Sequence, residues 1–482
     1  MDFESSGLSR EEIRKRRRKK ERMQAILILA AVVLVVLLVV GAIAIALVRV
    51  FSAPGNTKDG KTVDAVATES VVEEPQDSSQ LTEESDESSL QEEESADGEE
   101  IQEETSEQQE ESEVATESDE DDDLLGFLED DNSEELEQLV TQKIASMSLE
   151  SKVAALFFVT PGQLMGVESD VTTLGSEFGE KMQEYPVGGI VLDESNMGSE
   201  EDFTKFISNL SVYIAEDTFV GIEDQGGEQS PFIKKEFTEN VIASHREIGE
   251  SLGASGAYSA GISLGSELRQ YGIDVNFAPN VDVSLKEGSV AEQEGFGTDA
   301  QTTAELGKNL VRGLSDQNIL TAVGHFPGYG DVTQDGDGGQ VVSERTKDDL
   351  TKEYAPYKEA IDAGADFVMV SHVSLPKIRG DKRPASLSKE VITDIIRTEW
   401  EYDGIVITDF MNKSCIFIKY TYAEAAVGAI EAGADMILAP KNFIKSYNGI
   451  LEAVNKGTLT EERIDESLKR IYRVKLADQV AE

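Results

Sequence analysis

The stretch Leu320–Asp337, LTAVGHFPGYGDVTQDGD, decides how the rest of the chain is read. It opens on a continuous apolar run, Leu320–Val323, of the kind that forms a strand buried on both faces. It then sets His325 at the strand's end and breaks into a turn built on Pro327, Gly328 and Gly330. An acid-rich loop with Asp335 and Asp337 follows. Strand, titratable side chain and glycine loop, in that order, are how a parallel α/β protein presents chemistry at its strand ends.

Seven more apolar runs share this character: Leu156–Thr160, Val187–Leu192, Phe219–Ile222, Asp274–Ala278, Phe367–Ser371, Gly404–Thr408 and Met436–Ala439. Segments with helical spacing lie between them, among them Glu201–Ala215, Ile262–Tyr271, Thr302–Gln317, Lys352–Ala363, Lys389–Glu399 and Ala423–Ala432. Phe443–Asn455 and Glu461–Leu476 follow the last run. Eight buried strands, each followed by a crossover, predict an α/β fold of the (β/α)8 TIM-like type; an open doubly wound sheet is the alternative. Gly-Ala-Asp at Gly364–Asp366 and Gly433–Asp435 predicts short turns into strands six and eight.

The barrel is expected over residues 133–482, and three segments of other character precede it. Residues 1–24 are basic, with RKRRRKK at Arg14–Lys20. Ala25–Val48 is uncharged and dominated by Ala, Ile, Leu and Val. At roughly 1.5 Å per residue it is long enough to cross a bilayer core as one transmembrane helix. Basic residues stay on the cytoplasmic side, so the barrel is expected outside the cell membrane, anchored through that helix. Residues 51–131 are predicted to be a disordered acidic linker: no Lys or Arg occurs between Thr62 and Gln142. Such a segment buries too little apolar surface to offset its ordering entropy.

The formal net charge is −52, and 36 of the 95 acidic residues but only 12 of the 43 basic ones precede residue 132. The remaining 59 acids and 31 bases leave the rest of the chain net negative by 28. Nucleic acid is thereby excluded as a partner, since nothing offsets phosphate repulsion. A single cysteine, Cys415, permits no intramolecular disulfide and reads as a small buried residue.

In a barrel of this kind the site is built from the C-terminal strand ends. Those ends supply Asp193, Glu223, Asp224, Asp282, His325, His372 and Asp409. Of three histidines two fall there; the third, His245, lies in a charged stretch and is expected on the surface. Asp409 directly follows the apolar Gly404–Thr408. A carboxylate there is costly to bury without partners, so it is either catalytic or a hydrogen-bond acceptor closing the ladder. A rim carboxylate with an acid partner is the minimum equipment for glycoside hydrolysis. His325, His372 and Asp409 also form the two-His, one-carboxylate set of metal chemistry; no metal or cofactor is assigned.

From about Glu135 onward the chain resembles the N-terminal barrel domain of glycoside hydrolase family 3, and most closely its single-barrel bacterial β-N-acetylhexosaminidases. HFPGYGD (His325–Asp331) is similar to the family's KHFPGHGD, and VITDFM (Val406–Met411) to its strand-seven nucleophile motif. NFAPNVDV (Asn276–Val283), VMVSHV (Val368–Val373) and PASLS (Pro384–Ser388) match as well. The resemblance implies that Asp409 is the nucleophile of a retaining mechanism acting on a carbohydrate substrate. It also implies that Glu223, Asp282, His325 and His372 hold the sugar or support the site. The acid of the single-barrel enzymes is a His on the loop after strand five, in an Asp-Ser-His motif. Here Asp335 matches the Asp, and Asp337 falls where the His would be.

Several positions depart from the pattern. Gly324 stands for a Lys, Tyr329 for the second His, Glu223 for a sugar-binding Asp, and Glu228 and Glu294 for two Arg. The site is thus more acidic, which suits a neutral or amino sugar better than an anionic one. Two readings follow: a surface glycosidase in which Asp337, among other acids, protonates the leaving oxygen, with Asp335 as the other loop candidate, or an inactive sugar-binding or scaffold module on the same barrel.

Overall fold

The structure, a computed structural model, describes residues 133–480 apart from Asn240. The basic segment, the apolar run and the acidic linker lie outside the described residues. Among the described residues no helix is long and apolar enough to cross a membrane.

All eight expected strands form: β1 (Phe157–Val159), β2 (Gly189–Leu192), β3 (Phe219–Ile222), β4 (Val275–Asn276), β5 (Leu320–Phe326), β6 (Phe367–Val370), β7 (Ile405–Thr408) and β8 (Ile437–Leu438). They pair in parallel in the order β7-β6-β5-β4-β3-β2-β1-β8. A parallel bridge between Ile407 and Met436 joins the two ends, and Thr408 N–H donates to Met436 O at 3.1 Å. The sheet therefore closes into a ring, and the open doubly wound alternative falls. Helices alternate with the strands where the spacing put them, from Glu200–Tyr213 after β2 to Phe443–Asn455 and Glu461–Leu476 after β8.

Four phenylalanines fill the barrel. The Phe158 ring stacks on Phe219 with centroids 5.9 Å apart and meets Phe277 edge-on at 5.2 Å, while Phe219 lies 5.8 Å from Phe367. Rings of this size fit because neighbouring strands carry glycine: a Cβ on Gly189 would stand 2.1 Å from Phe158, and one on Gly221 2.7 Å from Phe277.

The N-terminal end of the barrel is pinned by acids. Asp274, Asp366 and Asp435 precede β4, β6 and β8, and each accepts a backbone N–H from the strand before it. The donors are Val220 at 2.9 Å, Thr321 at 3.1 Å and Val406 at 2.9 Å. This gives the Gly-Ala-Asp turns a second purpose. Their Asp satisfies the amide of the second residue of an odd-numbered strand, a group that would otherwise be buried unpaired. Asp435 is fully buried and is held by Arg397 and Arg470.

Two expectations fail. β5 does not stop at Val323 but runs on to Phe326, so the strand is longer than expected, while His325 keeps its expected place at the strand's end. His245 is buried, not a surface residue. Its ring lies 4.7 Å from that of Phe296, and Nδ1 stands 3.0 Å from Glu294 O, which can only accept. Nδ1 therefore carries the proton, and burial pushes the pKa down to about 4. Packing on an aromatic ring outweighed the polar neighbourhood that the sequence displays.

Candidate active site

Asp409 leaves the end of β7 at the C-terminal mouth of the barrel and is fully buried. Three donors meet it: Phe410 N–H on Oδ1, with Tyr329 Oη at 2.7 Å and Lys413 Nζ at 3.0 Å on Oδ2. Burial alone would raise its pKa; Lys413 first, then His325 and the Tyr329 hydroxyl, outweigh that and hold it well below the usual carboxylate range. Asp409 is thus a buried, ionised carboxylate, the state a nucleophile needs.

Lys413 is clamped between two acids, 3.0 Å from Asp409 Oδ2 and 3.0 Å from Asp335 Oδ2. Those acids overcome burial and raise its pKa. The pairing in turn lowers the pKa of Asp335 against the effect of burial. Asp335 is therefore an ion-pair partner that stays ionised, which does not fit the acid role considered for it.

Asp337 is exposed beside it on the same loop. That loop is fastened to the segment after Asp409. Ser414 Oγ donates to Gly336 O at 3.0 Å and to Asp337 O at 2.7 Å, and Cys415 N–H donates to Gly336 O at 3.0 Å. Gly336 has φ +108, and a Cβ there would stand 2.6 Å from Cys415 Sγ. Only glycine lets the loop lie this close. Cys415 is buried, as expected.

His325 lines the mouth beside Asp409. Burial favours a neutral ring, but Asp282 and Asp409 push its pKa up to about 9, so the ring is cationic at neutral pH. Its Nδ1 lies 3.8 Å from Asp282 Oδ2 and makes no hydrogen bond.

Asp282 itself is sealed away. It accepts from Tyr357 Oη at 2.6 Å and from the backbone N–H groups of His325 at 2.7 Å and Tyr329 at 2.9 Å. With its oxygens taken, it shapes the β5 turn and supports the site; it does not face a sugar. His372 is likewise enclosed. Its Nε2 stands 3.0 Å from Phe410 O and so carries the proton, and Nδ1 accepts from Ser386 Oγ at 2.7 Å. Both ring nitrogens are occupied, which removes His372 from any metal set; among the described residues no group of three His, Cys, Asp or Glu is placed to hold a metal.

Of the remaining strand-end acids, Asp193 caps a short turn through Ser195 N–H at 2.8 Å. Asp224 is buried and accepts from Gly226 N–H and Ser230 Oγ, each at 2.8 Å. Both carboxylates close their own loops.

A cavity of about 350 Å³ opens over Asp409, and Glu223, Glu294, His325, Tyr329, Asp335, Asp337 and Lys413 contribute to its wall. The sequence reading reached five of these eight residues. It noted Tyr329 and Glu294 only as departures from a motif and missed Lys413 altogether. Lys413 follows Asp409 by four residues, and that spacing was the available signal.

The match to known proteins agrees with this geometry. Residues 142–474 fit the model of the glycosyl hydrolase family 3 N terminal domain, and the chain belongs to that family. Beta-hexosaminidase A of Pseudoalteromonas piscicida is 25% identical over 335 residues, which cover 63% of this chain and 56% of that one. Among solved structures, a glycoside hydrolase family 3 beta-N-acetylglucosaminidase from Paenibacillus sp. str. FPU-7 superposes with a TM-score of 0.63. It is 32% identical, over 70% of this chain and 64% of its own. LpqI of M tuberculosis gives a TM-score of 0.60 at 25% identity, over 69% of this chain and 94% of its own. The chain thus spans little more than half of the Pseudoalteromonas relative.

Proposed function

We propose that the protein is a glycosidase that removes a terminal β-linked sugar with retention of configuration, with Asp409 as its nucleophile. The observation that carries this reading is an ionised, buried Asp409 at the end of β7, sharing one cavity with the exposed carboxyl of Asp337. An Asp409 oxygen attacks the anomeric carbon while the glycosidic C–O bond breaks, and Asp337 gives its proton to the departing oxygen. Water then attacks the anomeric carbon of the glycosyl-aspartate, Asp337 takes its proton, and the bond to Asp409 breaks. Glu223 and His325 would hold the sugar from the wall, while Asp282 and His372 support the site from behind it. The names of the relatives favour an N-acetylhexosamine or a close analogue as the sugar.

A second reading, sugar binding without turnover, is favoured by one feature. Both Asp409 oxygens already accept hydrogen bonds, two on Oδ2 and one on Oδ1. Hydrolysis of aryl β-glycosides of N-acetylglucosamine, glucose and xylose by the full chain separates the two. Turnover that falls about 10⁴-fold in Asp409→Asn supports the enzyme; binding without turnover supports the module.

The proposal extends to location. The apolar Ala25–Val48, behind its basic flank, would anchor the chain in the cell membrane with the barrel outside. Sedimentation with membranes that survives high salt, together with protease access to the barrel on intact cells, is expected; a freely soluble chain contradicts it.

A further inference from the structure

We propose that the cavity takes a terminal β-linked amino sugar whose amine is free and positively charged, in preference to its N-acetylated form. The inference rests on the glycosidase reading for its catalytic half and on the charge of the cavity for its specificity. Five carboxyl groups line the wall, Glu223, Glu294, Asp335, Asp337 and Asp409, against two cations, His325 and Lys413. Both cations are engaged. Lys413 bridges Asp335 and Asp409, and His325 is drawn to Asp282 and Asp409. Among the described residues no cation pairs with Glu223, Glu294 or Asp337. The side-chain contacts of the first two are neutral amides, Gln225 Nε2 at 3.0 Å and Asn280 Nδ2 at 3.2 Å.

His325 does not answer that charge: it is more than nine-tenths buried, and its Nδ1 faces Asp282 behind the wall at 3.8 Å, not the cavity. Glu223, Glu294 and Asp337 therefore leave unmet negative charge in the cavity that would take the sugar. Burial first, and then the neighbouring Glu223, raise the pKa of Glu294 despite the presence of His325. A cation among these carboxyls would relieve that repulsion. A sugar ammonium is a compact charge with three donors and no acceptor, and carboxylates converging on it satisfy all three. An acetamido group brings no charge, and its carbonyl oxygen would face the carboxylates lone pair to lone pair. Anionic sugars are repelled outright.

The test offers the full chain an aryl β-glucosaminide and the matching aryl N-acetyl-β-glucosaminide at about pH 6, where an amine is protonated. Expected is a kcat/KM about tenfold or more higher for the free amine, with Glu294→Gln and Glu223→Gln each lowering that ratio. Equal or better hydrolysis of the acetylated substrate overturns the inference and leaves the glycosidase reading in place. Hydrolysis of neither sinks the glycosidase reading, and calorimetric titration with the two methyl glycosides then decides the specificity. Tighter binding of the amine, weakened in Glu294→Gln, upholds it; equal binding or none overturns it.

Discussion

Lys413 sets the electrostatics of Asp409 more than any other side chain. It is the leading cation holding that carboxyl ionised against burial. Lys413→Met is expected to raise the Asp409 pKa and to move the acid limb of kcat/KM to higher pH; an unmoved limb would contradict this role. The same residue explains one departure from the family pattern. Gly324 replaces a lysine on β5, and the sequence reads as though a cation were lost. A cation is nevertheless present, carried by the loop after β7. His325 gives a second prediction at this scale. Its folded pKa of about 9 lies above the unfolded value of about 6.5. The stability it contributes is therefore full below about pH 6.5 and is lost as pH rises through about 9. In parallel melts, the gap between the native chain and His325→Asn should be widest near pH 6 and shrink towards pH 9. A constant gap would mean that the ring is not cationic in the folded state.

The elements divide the barrel into a face that holds it together and a face that carries chemistry. Asp435, at the N-terminal end, is buried against Arg397 and Arg470 and caps β7. Asp435→Ala leaves Arg397 without a carboxylate partner and Arg470 with Asp403 alone, and urea unfolding should show a loss of about 3–5 kcal/mol. KM should not change; a change would mean that this end communicates with the site. At the other end, Gly336→Ala is expected to lower kcat with little effect on unfolding, because it forces the loop bearing Asp337 off Cys415. Unchanged activity would contradict a role for that docking. The strands were legible because each is a continuous apolar run, a pattern that a fully buried parallel strand must have. The full length of β5 was not, because Gly324 interrupts the apolar run that marks the strand. The placing of Glu294 was hidden for a different reason: it enters the cavity from a short helix, Val290–Glu294, far in sequence from β7.

For the molecule as a whole, acidity is the common property of its parts. The chain carries −52, the part after residue 131 is itself acidic, and the cavity repeats the pattern with five carboxyls. Composition foretold the acidity but not the arrangement of charge, which depends on which acids the fold pairs with Lys413 and His325. The claim on which the rest depends is that Asp409 forms a covalent bond to the sugar. Mass spectrometry of the full chain, after reaction with a fluorinated aryl β-glycoside that slows deglycosylation, tests it most directly. The account predicts one added glycosyl unit, located by proteolysis on the peptide containing Asp409 and absent in Asp409→Asn. Turnover with no adduct and with inversion at the anomeric carbon, or an adduct on another residue, would contradict it.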